Sequence, residues 1–542
     1  MTPQGYTPKT LTFDGEGRKK LMAGITAISK AVKSTLGPRG KTVLLESAVH
    51  TGGLTVTKDG VTVASAIRLD DPIEDLAILM MREAAMKTAN SAGDGTTTAI
   101  VLTEAIVKAG ESVLAKENNL TEVIKHINAL SKFVIKSLTK KSKKITNKLL
   151  LDVATISANN DNEIGKIIAE AYNEVGVNGV VTVERSQNSE TFSEVTTGIK
   201  IARGYTSNLF INNQKKDECV LEDVKILVCD QEINNILQIE NVLKPIINNG
   251  DKLLIIAPCA PNVINTMAAN VQRNGLKFCN IAPPNFGYKQ HELMQDIALA
   301  VGAKYFSEKT GDDLSLMRAE DLGTADKIIV ASADTIILKE NNQTEELTNR
   351  IKELKVQQDN TVHKAERSFI DERVASLAGS IGCIFVGGHS EIEQKEKYDR
   401  VDDSVCAVRS ALEEGIIPGG GLALFRVFQE LTNKDWLRKY NKSKSKNDID
   451  YNAALMILRI AMKVPMKQIL VNAGIDDKKV IETIYSKPTN YGYDVKNDKY
   501  GNMFSMGVID PLKVTKHAFI NAVSVATTIL STNAIVTNVR AK

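Results

Sequence analysis

The spacing of apolar residues changes along the chain, and the change separates two helical ends from a mixed middle. Residues 16–36 place Leu21, Ile25, Ile28, Val32 and Leu36 at helical intervals, which predicts an amphipathic helix with one core-facing stripe. Residues 73–90, 96–108 and 120–138 repeat that pattern. Thr42–Leu45 and Leu54–Thr57 are short β-branched or aliphatic runs around Thr51-Gly52-Gly53, a predicted hairpin. In the middle, Lys225–Cys229, Lys252–Ala257 and Lys327–Val330 are continuous apolar runs bounded by charges. They alternate with helical stretches, a pattern that favours an α/β layer domain. Residues 345–378 carry Leu347, Ile351, Leu354, Val362, Ala365, Phe369, Val374 and Leu377 among dense charge, which predicts a solvent-facing helix pair. Helical spacing resumes from Ile416, interrupted by the polar insert Lys442–Asn447. Lys140–Lys148 reads as a solvated linker or helix surface.

A chain of 542 residues is too long for one core and should form several domains. Its 43% hydrophobic and 25% charged residues are those of a globular protein. A net charge of +3 argues against nucleic acid or a membrane surface as the main partner, and no apolar run reaches the length of a membrane span. The first residues, Met1–Phe13, show neither a signal-peptide core nor an Arg-rich transit pattern. Six scattered cysteines, without CxxC or Cys/His spacing, predict reduced thiols, no zinc site and a cytoplasmic setting. Heavy use of Asn and Lys points to an AT-rich genome, whether of a bacterium, an endosymbiont or a large bacterial virus.

Candidate chemistry concentrates in glycine-containing turns. Gly93-Asp94-Gly95-Thr96-Thr97-Thr98 precedes a helical pattern. Such glycines let backbone amides close on an anion, hydroxyls can donate to phosphate, and a carboxylate can hold Mg²⁺. A plain turn with a threonine cap would look the same, so this segment alone leaves both readings open. Further turns follow at Thr35-Leu36-Gly37-Pro38-Arg39-Gly40 and Thr57-Lys58-Asp59-Gly60. Far along the chain come Arg400-Val401-Asp402-Asp403, Leu412-Glu413-Glu414-Gly415, Pro418-Gly419-Gly420-Gly421, Asn490-Tyr491-Gly492-Tyr493 and Met506–Pro511. None lies in the middle third. One shared site would therefore require the two ends to fold together around an inserted middle.

This ordered set resembles the group I chaperonins, the GroEL-like family, from Tyr6 to about Thr537. The resemblance implies a multidomain α and α/β fold. A mainly helical equatorial ATP domain would comprise 1–139 and 414–542, a small intermediate hinge domain 140–196 and 382–413, and an inserted α/β apical domain 197–381. It also implies ATP, Mg²⁺ and K⁺ as cofactors, ATP hydrolysis coupled to protein folding, self-assembly into one or two heptameric rings, and non-native protein clients. It leaves a co-chaperonin open.

Residue by residue, the resemblance places Asp94 on magnesium, with Gly95, Thr96, Thr97 and Thr98 on the phosphates. Thr35, Leu36, Gly37 and Pro38 match a second phosphate-side turn, and Thr35, Lys58 and Thr97 surround K⁺. Asp403 matches the carboxylate that orients the attacking water, with Asp59 a second acid near the γ-phosphate. Gly420 and Asp510 match ribose and base positions, as do Asp494, Val495 and Lys496, where the family usually has Asn-Ala-Ala. That departure changes side-chain contacts to the base.

Tyr205, Leu209, Phe210 and Leu243 match client-binding positions, with Val263, Ile264 and Met267 as substitutes. Glu240, Asn265, Ala269 and Asn270 replace large apolar residues on the family's two groove helices, 239–250 and 262–274, which predicts weaker capture. Gly198, Gly379 and Ser380 match hinge positions. A rival reading is a binding or scaffold protein on the same fold. A P-loop enzyme is excluded because no GxxxxGK[ST] motif occurs.

Overall fold

The computed structural model describes residues 9–46, 54–176, 180–214, 216–339, 344–360, 364–377, 380–432 and 448–538. It divides into two compact units, one of Met1–Glu170, Val183–Phe192 and Phe385–Lys542, the other of Ala171–Thr182 and Ser193–Ile384. The fold is mostly helical with an α/β component. Of the residues assigned above to an intermediate domain, 140–170, 183–192 and 385–413 pack within the first unit.

The first unit is built from both ends of the chain. Lys9–Phe13 and Ala534–Asn538 pair antiparallel, with Lys9 opposite Asn538. Helices Asp14–Lys33, Pro72–Ala92, Thr96–Val113, Leu120–Lys141, Ile449–Ala461 and Leu512–Ser531 share one apolar core. Their ends follow local chemistry. Asp71 caps Pro72–Ala92 by accepting from the Ile73 amide at 2.8 Å, proline occupies the first turn, and left-handed Gly93 closes the helix. Thr96–Val113 is buried along most of its length and packs in the core. It continues past Gly110, where a Cβ would come within 2.6 Å of Leu530, so close packing explains that glycine. The first helix stops at Lys33 instead of Leu36, because Thr35 and Leu36 enter a turn.

The hairpin pairs Val43–Glu46 with Leu54–Thr57, while its turn at Thr51–Gly53 lies outside the described residues, as do the Lys442–Asn447 insert and Gly379. No helix among the described residues is long and apolar enough to cross a membrane. None of the six cysteines forms a disulfide.

The second unit is a sheet flanked by helices. Strands Phe192–Ile201, Thr335–Leu338, Gly323–Val330 and Cys219–Cys229 run antiparallel in that order, and Lys252–Ile256 and Phe278–Ile281 continue in parallel beside Cys219–Cys229. Helices Glu240–Asn249 and Pro261–Asn274 make the crossovers that parallel strands require. The predicted solvent-facing pair becomes Glu345–Asn360 and Lys364–Leu377, but it is only partly solvated. Leu347, Leu354, Ile370 and Leu377 join the core. Arg373 is buried and bonds Asp296 at 2.6 Å and Glu292 at 2.8 Å on helix Gly287–Val301, so the dense charge there is partly internal pairing.

Two client-binding expectations change on burial. Phe210 is 1% exposed, because the short turn Asn208–Phe210 presses it into the second core. Leu243 is also buried, on the inward face of Glu240–Asn249 with Val242 and Ile246. Leu209 remains 49% exposed, its carbonyl accepting from Gln272 at 2.8 Å. Phe210→Ser should therefore destabilise the protein by about 3–5 kcal/mol, and Leu209→Ser by less than about 0.5 kcal/mol. Urea unfolding midpoints of the two variants check this; equal midpoints would contradict the placement.

Candidate active site

Two left-handed glycines set the centre of the site. Gly93 (φ 73°) ends one long helix and Gly95 (φ 86°) opens the next, so Asp94 is held at a sharp corner between them. Gly95 has no side chain with which to cap, and the first amide bonded back into the helix is that of Ala99, to the Gly95 carbonyl at 3.0 Å. The amides of Thr96, Thr97 and Thr98 precede that bond and form the donor-rich end of the helix. The neighbouring helix Gly60–Ala66 is arranged differently. Its N-cap, Asp59, accepts from the Val61 and Thr62 amides at 3.1 and 2.8 Å. Gly60 packs so tightly on Thr97 that a Cβ would lie 2.3 Å from the Thr97 hydroxyl, which docks the Lys58–Asp59 loop beside the threonines.

Helix Glu391–Glu414 supplies a further wall. A Cβ on Gly93 would fall 2.2 Å from Cys406, so this helix lies directly on the Asp94 corner. Ser404 donates to the Ala154 carbonyl at 2.6 Å and Ser410 to the Ala92 carbonyl at 3.0 Å. These contacts bring Asp403 to the Asp94 side. Ile509–Pro511 pairs antiparallel with Ile416–Pro418, setting Asp510 opposite Ile417 just before the left-handed pair Gly420 and Gly421. The hairpin of Tyr491–Asp494 and Lys499–Asn502 completes the enclosure.

The result is one cleft of about 300 Å³ within the first unit. Into it the structure gathers Thr35–Pro38, Lys58, Asp59, Asp94–Thr98, Asp403, Gly420, Asp494–Lys496 and Asp510, every residue assigned above to nucleotide, cations or hydrolysis. Besides the capping Asp59, three of their side chains have local duties. The Thr35 hydroxyl donates to the Val32 carbonyl at 2.8 Å. Asp494 accepts from the Lys496 amide at 2.9 Å and the Asn497 side chain at 2.6 Å, and Val495 is buried against apolar neighbours. Sequence reasoning missed Ser157, Asn159 and Asn160, which also line the cleft, and gave Arg400 no role. Ser157 donates to Asp94 at 3.1 Å, and the two asparagines are left-handed (φ 58° and 65°). Ala158-Asn159-Asn160-Asp161 was a readable turn signal.

Comparison with known proteins decides the family. A sequence profile described as the TCP-1/cpn60 chaperonin family matches residues 28–540. The chain belongs to that family. Its structure is similar to two crystal forms of the chaperonin gp146 from the bacteriophage EL 2 (Pseudomonas aeruginosa), both crystallised in presence of ATP-BeFx. Crystal form II has a TM-score of 0.69 at 22% identity, and form I has 0.61 at 23%; each match covers 98% of this chain and 99% of that one. Members of the chaperonin family are ATPases and chaperones.

In this chaperonin the cleft concentrates negative charge. Burial pushes the Asp94 carboxyl up, helped by the charge of Asp59, against lowering by the Gly95 amide and Ser157. Asp403 is raised well above the usual carboxylate range by burial, then by Asp59 and Asp94. Asp510 is pushed up to about 7 by burial and Asp94. A cation would relieve this repulsion. Among the described residues no three His, Cys, Asp or Glu side chains form a cage for a metal. The donor set suits Mg²⁺ all the same, because that ion usually takes one or two carboxylates and completes its shell with phosphate oxygens and water. Asp94 is the carboxylate beside the open helix end.

In the second unit, Tyr205 is half-buried and its amide bonds the Ala331 carbonyl at 3.2 Å. Val263 and Met267 are core residues, whereas Asn265 is exposed. Gly198 lies within a strand opposite Leu338, where a Cβ would meet Ile381 at 2.3 Å, so close packing accounts for it. Ser380 begins the strand Ser380–Val386.

The Asp510 shift has a definite sign. Its ordinary value is 3.8 and its folded value about 7, so between pH 4 and 7 the folded chain keeps a proton that the unfolded chain has lost. Stability falls as pH rises through that window, and the penalty is complete above it. Asp510→Asn should match wild type at pH 4 and exceed it at pH 8 by up to about 4 kcal/mol. Denaturation at both pH values checks this; a pH-independent difference would contradict it.

Proposed function

We propose that this chaperonin binds ATP with Mg²⁺ in the cleft, hydrolyses it, and uses the cycle to bind, enclose and refold non-native proteins. The observation that carries the reading is the convergence of an uncapped helix start at Thr96–Thr98 with Asp94 and Asp403 in one cleft. The amides of Thr96–Thr98 and the glycine turns bind phosphates. Asp94 holds the magnesium, which when bound neutralises phosphate charge. Asp403 orients the attacking water and accepts its proton, with Asp59 beside it. Gly420 and Asp510 adjoin the ribose and base, with the backbone of Asp494–Lys496. Thr35, Lys58 and Thr97 surround K⁺, Lys58 through its backbone carbonyl.

The working division is an equatorial domain of 1–139 and 414–542, an intermediate domain of 140–196 and 382–413, and an apical domain of 197–381, moving at Gly198, Gly379 and Ser380. Ring assembly is favoured by two exposed β-elements of the first unit. The terminal ribbon presents Leu11, Phe13 and Val536, and the hairpin presents Leu44. Two different sticky edges on one subunit suit a heterologous, closing contact. Heptameric rings in the cytoplasm of a bacterial or virus-infected cell remain the assembly proposed.

Tyr205 and Leu209 are the client contacts retained. Burial of Phe210 and Leu243, with Asn265 exposed where relatives are apolar, favours a second reading as a chaperonin-fold scaffold with weak folding activity.

Asp403→Ala should leave ATP binding within about twofold while turnover falls on the order of 100-fold; Asp94→Ala should weaken Mg-ATP binding itself. Wild-type turnover should also fall when a larger organic cation replaces K⁺ at constant ionic strength. Nucleotide titrations and steady-state ATPase rates separate these effects, and unchanged turnover in Asp403→Ala sinks the assignment.

For clients, Leu209→Ser should reduce capture of a denatured protein without changing ATPase. Asn265→Leu with Asn270→Val should strengthen it. Aggregation suppression is the readout; a response to neither change would favour the scaffold reading.

A further inference from the structure

The two walls of the cleft are tied together on the outside by an ion pair whose two residues, Arg39 and Asp498, line neither. Thr35–Pro38 forms one wall, and Arg39 follows it directly. Tyr493–Lys496 lines the other, and Asp498 sits at the tip of the same hairpin in a left-handed conformation (φ 52°). The Arg39 guanidinium donates to one carboxylate oxygen of Asp498 at 2.9 Å. The Tyr493 hydroxyl donates to the other at 3.0 Å, and its ring packs on Tyr500 with centroids 4.7 Å apart. Arg39 and Asp498 are 459 positions apart in the chain, so nothing but the cleft geometry brings them together. Both are exposed, at 40% and 57% of their side-chain surface.

The inner edge of the same turn is held differently. Asn472 donates to the Lys33 and Leu36 carbonyls, each at 2.8 Å, and Gly37 packs on Ile469. The Thr35–Gly40 turn is thus fixed from within by neutral hydrogen bonds and from outside by one solvent-facing ion pair. The inner tie cannot break without disturbing the core. The outer one can, because an exposed pair contributes little and is screened by salt.

We infer that Arg39, Asp498 and Tyr493 form an ionic clasp across the mouth of the cleft that slows release of bound nucleotide. The inference rests on the cleft being the ATP site. Bound nucleotide leaves when the hairpin parts from the turn, and the pair opposes that parting. Binding itself, which uses the phosphate and magnesium residues, does not depend on it.

The test is stopped-flow release of a fluorescent ADP from the full-length protein in wild type, Arg39→Ala, Asp498→Asn and the double variant, at low and high salt. Asn keeps a residue tolerant of the left-handed backbone while removing the charge. Release should quicken roughly 1.5- to 5-fold in each single variant, the range of an exposed ion pair. The double variant should be no faster than the singles, and high salt should bring wild type to their rate. Wild-type release rates in both single variants, or additive effects in the double, would overturn the clasp while leaving the ATP reading intact. A wild-type chain that binds no fluorescent nucleotide would overturn the ATP reading, and the clasp with it.

Discussion

Like charges held out of water are the constraint around which the first unit is arranged. Burial raises both the Asp94 and the Asp403 carboxyls, the charge of Asp59 adds to each, and that of Asp94 raises Asp403 further. Such an arrangement is unfavourable unless something opposes it. Part of the opposition is visible in the protein itself. Gly95 and Ser157 donate to Asp94, the Val61 and Thr62 amides hold Asp59, and the open end of Thr96–Val113 adds a favourable dipole. The remainder is what a divalent cation would supply, and this links the cleft's shape to its chemistry.

The rest of the unit keeps that cluster in place. Helix Thr96–Val113 cannot shift, because it is buried on nearly every side. Helix Glu391–Glu414 is pinned by Ser404 and Ser410 at carbonyls of two other helices and by the close approach of Cys406 to Gly93. Lys513 and Lys516 pair with Glu413 and Glu414 and tie its end to the last long helix. Asp403 therefore depends on contacts made well away from it in sequence.

The second unit follows other rules. Its inner parallel strands are buried on both faces and, after Lys252, apolar but for Asn280, and its crossover helices turn their apolar stripes inward. Little large apolar surface remains on helix Pro261–Asn274, whose Val263 and Met267 belong to the core. Any grip on unfolded chains must come from a few exposed residues such as Leu209.

By itself, the sequence determined the long amphipathic helices, the α/β middle and the phosphate-cradle candidates. Those depend on spacing within 10 to 20 residues, on glycine, and on carboxylates beside turns. Gathering Thr35, Asp94, Asp403 and Asp510 into one cleft was legible only through the family resemblance, because no local rule brings together residues hundreds of positions apart. Tertiary structure alone decided the finer matters. It buried Phe210 and Leu243, whose apolar character suits a core and a binding surface equally. It turned Asp494 onto its own loop, paired Arg373 internally, and added Ser157 and Asn160 to the cleft. Whether a side chain faces solvent, a partner or a cavity is set by what packs against it from elsewhere in the chain, and periodicity carries no information about that neighbour.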